Sequence, residues 1–294
     1  MDNPALTIGL AMALGMMSQV IARKFHLPGI VVLLAAGVIF GPDGLSWIQP
    51  SSLGPALQII VGFAVAVILF EGGMNLRISR IKREELATRG LITIGALITL
   101  FGGTLAALII LGWDFRTSIL FGTLIIVTGP TVITPLLKRL RLHHGVSTVL
   151  EAEGILLDAI GAIIAVVALE IALSPSGLSF IKGIFHIVSR LTIGTIMGIA
   201  GGGLLTLLFR IRKLIPDGLE NVFILSWVFA LFQLANTASP ESGIAAVTIA
   251  GMTIGNSKTY IQKELLEFKE QLTVLMIGML FILLAADVRI TDIQ

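Results

Sequence analysis

The chain contains no cysteine, few charged side chains and few aromatic ones. Without cysteine it can form neither a disulfide nor a thiolate metal site. Charged residues make up 13% of the 294 residues, against roughly 25% in soluble domains. Apolar residues are abundant instead: 55% of the chain is hydrophobic, 32 residues are glycine, and the mean hydropathy is +0.99. This composition predicts an all-α polytopic membrane protein whose helices pack closely through small residues.

The sequence also lacks the short motifs of several function classes. It contains no phosphate-binding P-loop, no His/Cys cluster with metal-ligand spacing and no repeated filter sequence of the potassium-channel type. We therefore expect a protein that is not an enzyme, holds no resident cofactor and has no nucleic-acid partner. The lipid bilayer is its expected surroundings.

Apolar runs of about 20 residues, the length that crosses a bilayer as a helix, predict ten transmembrane helices. Lys182, His186 and Arg190 are spaced four apart, which predicts that the seventh helix starts with an amphipathic piece at the membrane surface. The predicted ranges are 4–22, 28–41, 55–75, 89–112, 116–137, 148–173, a span within 178–209, 219–236, 242–256 and 268–286.

Basic residues are distributed unevenly between the two sides that ten helices create. Of the 20 Lys and Arg residues, all fall in loops on one side except Arg116, Lys182, Arg190 and Arg289. Because positively charged loops stay in the cytoplasm, this predicts an N-terminus outside and basic loops inside. We expect an integral protein of a bacterial inner membrane.

Two segments recur along the chain in the same order. Residues 29–41 and 243–255 share Gly, Ile, Ala, Gly and Gly at matching positions, and Asn75–Ser79 aligns with Asp287–Thr291. The paired helices are an odd number apart, so the copies cross the membrane in opposite senses, as inverted repeats of secondary transporters do. The alternative is chance similarity between glycine-rich helices.

These repeats divide the expected transmembrane domain, 1–294, into three parts. The first repeat is 1–175, a linker helix is 176–214, and 215–294 is a partial second inverted repeat. Counterparts of the fourth to sixth helices are expected to follow in a working transporter.

One acidic residue, Asp158, falls inside the otherwise apolar sixth helix. It lies roughly 16 Å from the cytoplasmic end at 1.5 Å per residue, close to mid-membrane. A carboxylate there costs about 2.5 kcal/mol or more, and such residues mark ion or proton pathways. The alternative is a structural carboxylate paired with a buried Lys or Arg, but no other predicted span carries one at this depth.

Thr128-Gly129-Pro130 interrupts the fifth helix at the same depth as Asp158. Proline removes an amide donor and glycine weakens a helix. An unwound segment in lipid is tolerated where it lines a cavity, and its carbonyl and hydroxyl oxygens suit a monovalent cation. The alternative is a simple proline kink.

Further acids lie near helix ends. Glu71, one turn inside the cytoplasmic end of the third helix, is either an ion ligand on the inward path or a snorkelling or Arg-paired carboxylate. Glu151 and Glu153 stand near the start of the sixth helix, where negative charge suits the helix dipole, so we expect a structural role. Glu170, at the outer end of that helix, is expected to be solvated.

Four stretches in this order resemble the NhaP-type sodium/proton antiporters of the monovalent cation:proton antiporter-1 family, which are related to animal sodium/proton exchangers. They are residues 69–73, 128–130, 151–158, and 268–272 with 280–284. The resemblance implies an NhaA/NhaP-like fold of thirteen helices, with helices eleven to thirteen missing here. It also implies a homodimer and an elevator-like movement of a six-helix core.

The resemblance further implies roles for single residues. Asp158 would be the exchange site that holds the monovalent cation, Thr128 and Glu71 would assist ion binding, and Glu153 would support the core. Gly129, Pro130 and Gly154 stand in the same motifs and are expected to support the site.

Three positions depart from the family pattern. Gly129 stands where an Asp is usual, Leu157 where an Asn is usual, and Gly154 where a Ser is frequent. Each departure removes a polar group near the ion, so the choice of cation does not follow from the resemblance.

The resulting hypothesis is a secondary antiporter that exchanges a monovalent cation, Na+ first, for H+ by alternating access. One carboxylate cannot stably hold both, so they compete for Asp158, and a single titrating acid favours exchange without net charge movement. The alternatives are a K+/H+ antiporter of the same fold and a cation channel or sensor built on a transporter fold. An anion transporter would need a basic residue at mid-membrane.

Overall fold

The computed structural model describes residues 3–129, 137, 142–173, 179–211, 215–216, 218–257 and 264–289, and the regular structure in these ranges is helical. A 3-10 turn at Lys82–Glu84 and a π-helical turn at Leu91–Gly95 separate the pieces of one long helical stretch. The helices are α1 (Pro4–Lys24), α2 (Gly29–Phe40), α3 (Pro55–Asn75), α4 (Ile78–Ile81), α5 (Glu85–Gly90), α6 (Ala96–Ile110), α7 (Phe115–Leu124), α8 (His144–Leu173), α9 (Ser179–Arg210), α10 (Glu220–Ala238), α11 (Ser242–Gly255) and α12 (Glu264–Asp287).

Within the described residues, six helical stretches are long and apolar enough to cross a membrane. They are Pro4–Lys24, Pro55–Asn75, Ile78–Ile110, Gly145–Leu173, Lys182–Arg210 and Glu220–Ala238. Shorter apolar helices occur at Gly29–Phe40, Ser242–Gly255 and Gln271–Asp287. Together with α7 these correspond to the ten predicted membrane helices, and the predicted all-α polytopic fold is confirmed.

Local capping explains where two of these helices begin. Asn3 Oδ1 accepts hydrogen bonds from the amides of Ala5 and Leu6, with Pro4 at the first helical position of α1. Asp114 caps α7 in the same way, accepting from the amides of Arg116 and Thr117. Such caps satisfy amides that have no partner inside the helix.

Two predicted helices differ from the observed ones. The fourth was predicted at 89–112, but the helical stretch already begins at Ile78, because short polar turns precede its apolar part. The fifth was predicted to continue to 137, but α7 ends at Leu124 and the chain is non-helical at residues 127–129. The predicted interruption at Thr128 and Gly129 is therefore present, while Pro130 lies outside the described residues.

The start of α9 also differs from the prediction. We expected an amphipathic surface piece carrying Lys182, His186 and Arg190 to lead into the span. In the structure α9 is one continuous helix from Ser179 to Arg210, and Lys182 and His186 are exposed, but Arg190 is not. Arg190 is only 4% exposed, and its Nη2 lies 2.7 Å from Oε1 of Glu170 on α8. Glu170 is therefore paired rather than simply solvated, because a buried guanidinium needs a counter-charge.

The helices form two compact units, Met1–Ile68 with Lys263–Gln294 and Leu69–Gln262. In the first unit, α1 and α2 pack against α12. The second unit contains α7 packed on α8, and α9 packed along α11. All the candidate site residues on α8, on the unwound segment and at the end of α3 belong to this second unit.

Candidate functional site

Asp158 lies at the middle of α8, a helix of 30 residues. Its neighbours Leu157 and Ala159 are 4% and 5% exposed, whereas Asp158 itself is half-buried. No described residue donates a hydrogen bond to its carboxylate or forms an ion pair with it. Arg190, the buried cation of the neighbouring helix, is engaged by Glu170. The expected structural alternative, a pairing of Asp158 with a buried base, is thus not found among the described residues.

The unwound segment after α7 reaches α8 through a hydrogen bond. Thr128 Oγ1 donates to Oε1 of Glu153 over 2.6 Å, a length typical of a hydroxyl bound to a carboxylate. Glu153 is only 7% exposed. Sequence reasoning placed these two residues in separate roles, and only the fold shows that they touch.

A second contact joins the same segment to α8 on the other side of Asp158. The Cα atom of Val127 lies 3.7 Å from the position that a Cβ atom on Gly161 would occupy. Along the helix axis, Asp158 lies about 7.5 Å from Glu153 and about 4.5 Å from Gly161. The two contacts therefore bracket Asp158, so the segment and the carboxylate share one depth. Neither Val127 nor Gly161 carries a chemical signal that sequence reasoning could have used.

The length of α7 agrees with that depth. Ten residues of α-helix span about 15 Å, half of a hydrocarbon core that is about 30 Å thick. Because α7 runs only from Phe115 to Leu124, it is too short to cross that core, and the chain leaves the helical hydrogen-bond pattern about 15 Å from the start of the helix. Carbonyl groups of such a segment become available to a ligand.

The last turns of α3 also face α8. A Cβ atom on Gly72 would lie 3.5 Å from Cγ1 of Ile155, and Ile155 is one turn from Asp158 on α8. Glu71 is half-buried beside Gly72. The structure therefore brings the helix end that carries Glu71 to α8 in the same half of the helix as Glu153 and Gly154.

The described residues contain no group of three or more His, Cys, Asp and Glu side chains that could hold a metal ion. The arrangement instead offers one half-buried carboxylate beside an unwound backbone segment. Such a site suits a weakly held monovalent cation or a proton rather than a tightly coordinated divalent ion, which needs several charged ligands.

Comparison with known proteins agrees with this geometry. A family model described as "Sodium/hydrogen exchanger, transmembrane" matches residues 9–294. The chain is 29% identical over 293 residues to the K(+)/H(+) antiporter NhaP2 of Shewanella oneidensis, covering 96% of this chain and 49% of that protein. It is 27% identical over 307 aligned residues to Na(+)/H(+) antiporter 1 of Methanocaldococcus jannaschii, covering 98% of this chain and 69% of that protein.

A solved structure shows the same fold. The sodium proton antiporter MjNhaP1 from Methanocaldococcus jannaschii at pH 8 matches with a TM-score of 0.80 and 25% sequence identity, covering 97% of this chain and 70% of that one. The chain spans about 70% of that structure's chain and about half the length of the NhaP2 antiporter described above.

Proposed function

This chain belongs to the transmembrane sodium/hydrogen exchanger family, and we propose that the protein exchanges a monovalent cation for a proton at Asp158. It is an integral membrane protein of a family of transporters, not of enzymes. The observation that carries the proposal is the half-buried Asp158 carboxylate at the middle of α8, bracketed by the two contacts of the unwound segment.

The mechanism follows from the cost of charge in a membrane. A bare carboxylate is unfavourable there, whereas the same group bound to H+ or to a monovalent cation is neutral. Since one carboxylate holds only one of the two, release of one ion on each side must be followed by binding of the other. Exchange is therefore obligate, and one carboxylate moves one charge in each direction, so no net charge crosses.

Thr128, Glu71 and Glu153 have different parts in this proposal. Glu153 holds Thr128 in place through the 2.6 Å hydrogen bond. The Thr128 hydroxyl donates its hydrogen to Glu153, which leaves its oxygen lone pairs directed elsewhere and able to face a cation. Glu71 lies on the path from the cytoplasmic end. Gly129 and Gly154 add no side-chain ligand, and with Pro130 they have a supporting part at the site in this proposal.

Na+ is the first candidate cation and K+ the second. The matched relatives include proteins described as Na(+)/H(+) and as K(+)/H(+) antiporters. Because Gly129 and Leu157 offer no polar side chain near the ion, backbone carbonyls and water would complete its coordination. For this reason K+ is retained as the second candidate.

The surroundings of the site are also part of the proposal. We place the N-terminus outside and the basic loops in the cytoplasm of a bacterial inner membrane, on the loop charges. We also propose a homodimer, with an elevator-like movement of the helices that carry Asp158. Cross-linking of the protein in native membranes would give a dimer band, and a monomer at every cross-linker concentration would contradict it.

The exchange itself is tested with the purified full-length protein in lipid vesicles that carry a pH gradient. Adding Na+, K+ or Li+ should dissipate the gradient for the wild-type protein, and the order of the three ions gives its selectivity. Asp158→Asn keeps the side-chain shape but cannot alternate between the two neutral forms, so it should show no dissipation. Dissipation that is unchanged in Asp158→Asn would contradict the proposal. Single-channel current steps would favour the channel alternative.

A further inference from the structure

The unwound segment is held against α8 at a position where α8 has no side chain. Gly161 follows Asp158 by three residues, which places it about 4.5 Å further along the axis and about 60° around the helix. The position of a Cβ atom on Gly161 lies 2.8 Å from Cγ2, 3.7 Å from Cα and 3.8 Å from Cβ of Val127. Side-chain carbons in proteins rarely approach other carbons closer than about 3.5 Å, so a side chain here would require Val127 to shift, first of all at its Cγ2 methyl group.

The residue after Val127 is Thr128, whose hydroxyl is fixed to Glu153. The segment is therefore pinned at one end by a hydrogen bond and at the other by direct packing on bare helix backbone. A displacement at Val127 moves the peptide between Val127 and Thr128, which lies at the depth of Asp158. It does so without altering the Asp158 side chain.

We propose that Gly161 is a positioning residue for cation binding: its missing side chain admits Val127 against α8 and so sets the distance between Asp158 and the backbone oxygens of the unwound segment. This rests on the proposed exchange at Asp158. A proton needs only the carboxylate, whereas a cation needs several oxygens at fixed distances. Gly161 therefore influences the cation half of the exchange more than the proton half.

The first test is Gly161→Ala, measured as the KM for the cation and the maximal rate of vesicle exchange. Relief of the 2.8 Å approach requires a shift of about half an ångström or more, and misplacement of about 1 Å at a reacting site costs up to about 100-fold. We expect the KM for the cation to rise about tenfold, with the maximal rate at saturating cation changed much less.

Two further variants separate positioning from general damage. Val127→Ala removes the Cγ2 atom that the new methyl group meets, so Gly161→Ala with Val127→Ala should return the KM to within about twofold of the wild type. Gly183→Ala on α9 is the matched control, because it creates a similarly close approach at a distant place. Its Cβ atom would lie 2.6 Å from Cδ1 of Ile171, and Ile171 lies about 20 Å from Asp158 along α8. This control substitution should leave the KM unchanged.

A disulfide gives a second measurement that needs no transport. The 3.8 Å separation of the two Cβ positions matches the mean of about 3.8 Å in disulfides, and the chain has no cysteine of its own. Val127→Cys with Gly161→Cys should therefore form an intramolecular disulfide under mild oxidation, detected by mass spectrometry of a digest. Val127→Cys with Ile160→Cys, one position around the helix, should stay reduced.

The outcomes distinguish this inference from the function on which it rests. Exchange that persists in Asp158→Asn refutes the proposed function itself. If Asp158→Asn is inactive but Gly161→Ala keeps the wild-type KM, or Val127→Ala fails to restore it, the positioning role is wrong and the function stands. Failure of the Val127/Gly161 cysteine pair to cross-link contradicts the contact itself, even where Gly161→Ala yields too little protein for kinetics.

Discussion

Two acidic residues five positions apart on α8 have different surroundings, and their surroundings decide their roles. Glu153 is buried and accepts a hydrogen bond from Thr128, whereas Asp158 is half-buried and no described residue donates to it. The depth of Asp158 could be predicted from the sequence, because a lone acid inside an apolar run is conspicuous. The Thr128–Glu153 bond could not, because the two residues are far apart in the chain and both were individually ambiguous.

The first prediction concerns the hydrogen bond between Thr128 and Glu153. Thr128→Val keeps the side-chain shape but leaves a buried carboxylate oxygen without its donor, which costs about 1–3 kcal/mol. We expect a lower melting temperature in detergent together with a higher KM for the cation. Thr128→Ser restores the hydroxyl and should recover most of both losses. A melting temperature that is equal in the Val and Ser variants would show that the bond contributes nothing.

At the scale of helices, the pairing of α8 with α9 shows where periodicity misleads. Residues 182, 186 and 190 share one face of a helix, a pattern typical of a surface. Their setting is instead decided by Glu170 on α8, whose carboxylate lies 2.7 Å from Arg190 Nη2 and 3.6 Å from His186 Nδ1. Only the packing of two helices brings that carboxylate to Arg190.

The second prediction concerns this pair. Glu170→Gln leaves the buried Arg190 guanidinium without its counter-charge, and we expect a loss of about 2 kcal/mol in unfolding free energy. This loss is near the low end of the range of about 2–5 kcal/mol for breaking a buried charge pair, because Glu170 is itself half-exposed. The control is Lys182→Gln. Lys182 lies on α9 with Arg190 but is exposed, so this substitution should change the melting temperature by less than a degree or two. Equal effects of the two substitutions would refute the assignment.

The cap of α7 gives a prediction about pH. The Thr117 hydroxyl, which donates to the Asp114 carboxylate, and the Thr117 amide hold the pKa of Asp114 below its ordinary value of 3.8. A lowered pKa means that the cap contributes stability fully above 3.8, and that the contribution is lost as the pH falls through the lower folded-state pKa.

Asp114→Ala should therefore lower the melting temperature at neutral pH. The difference from the wild type should shrink once the pH falls below 3.8. Thermal unfolding of both proteins across a pH series checks this, and a difference that stays constant into acid would contradict it.

At the scale of the whole molecule, residues that the proposed repeat pairs make similar close contacts within each compact unit. A Cβ atom on Gly37 of α2 would lie 2.9 Å from the carbonyl oxygen of Ile282, and one on Gly251 of α11 would overlap the carbonyl oxygen of Phe70. Gly37 and Gly251 are paired at an offset of 214 residues, and the alignment of Asn75 with Asp287, at an offset of 212, pairs Phe70 with Ile282. These contacts support our proposal that the chain contains two copies of one helix pair.

The proposed repeat predicts matched sensitivity. Gly251→Val places a branched side chain against helix backbone that cannot yield, and overpacking of this kind costs about 3 kcal/mol. Gly37→Val should lose a comparable amount. The control is Gly102→Val on α6, where a Cβ atom meets nothing within 4 Å. A strong effect at one of the two paired glycines and none at the other would argue against equivalence.

Much of the helical architecture could be predicted from sequence because apolar runs are local signals, whereas the orientation and the repeat remain predictions. The break in the fifth helix was predicted at Thr128-Gly129, but the end of α7 already at Leu124 was not. The early start at Ile78 was also missed, since a polar turn leaves a weak local signal. The contact of Val127 with Gly161 was also missed, because two apolar residues far apart in the chain carry no sign of proximity.

The central claim is that one carboxylate serves both ions, and competition between them tests it most directly. The KM for the transported cation should be measured in vesicle exchange at a series of equal pH values on both sides. We predict that on the acidic side of the activity optimum the KM rises by up to tenfold per pH unit, because one proton displaces one cation, while the maximal rate at saturating cation is preserved. A KM independent of pH, with only the maximal rate falling in acid, would contradict a shared site at Asp158.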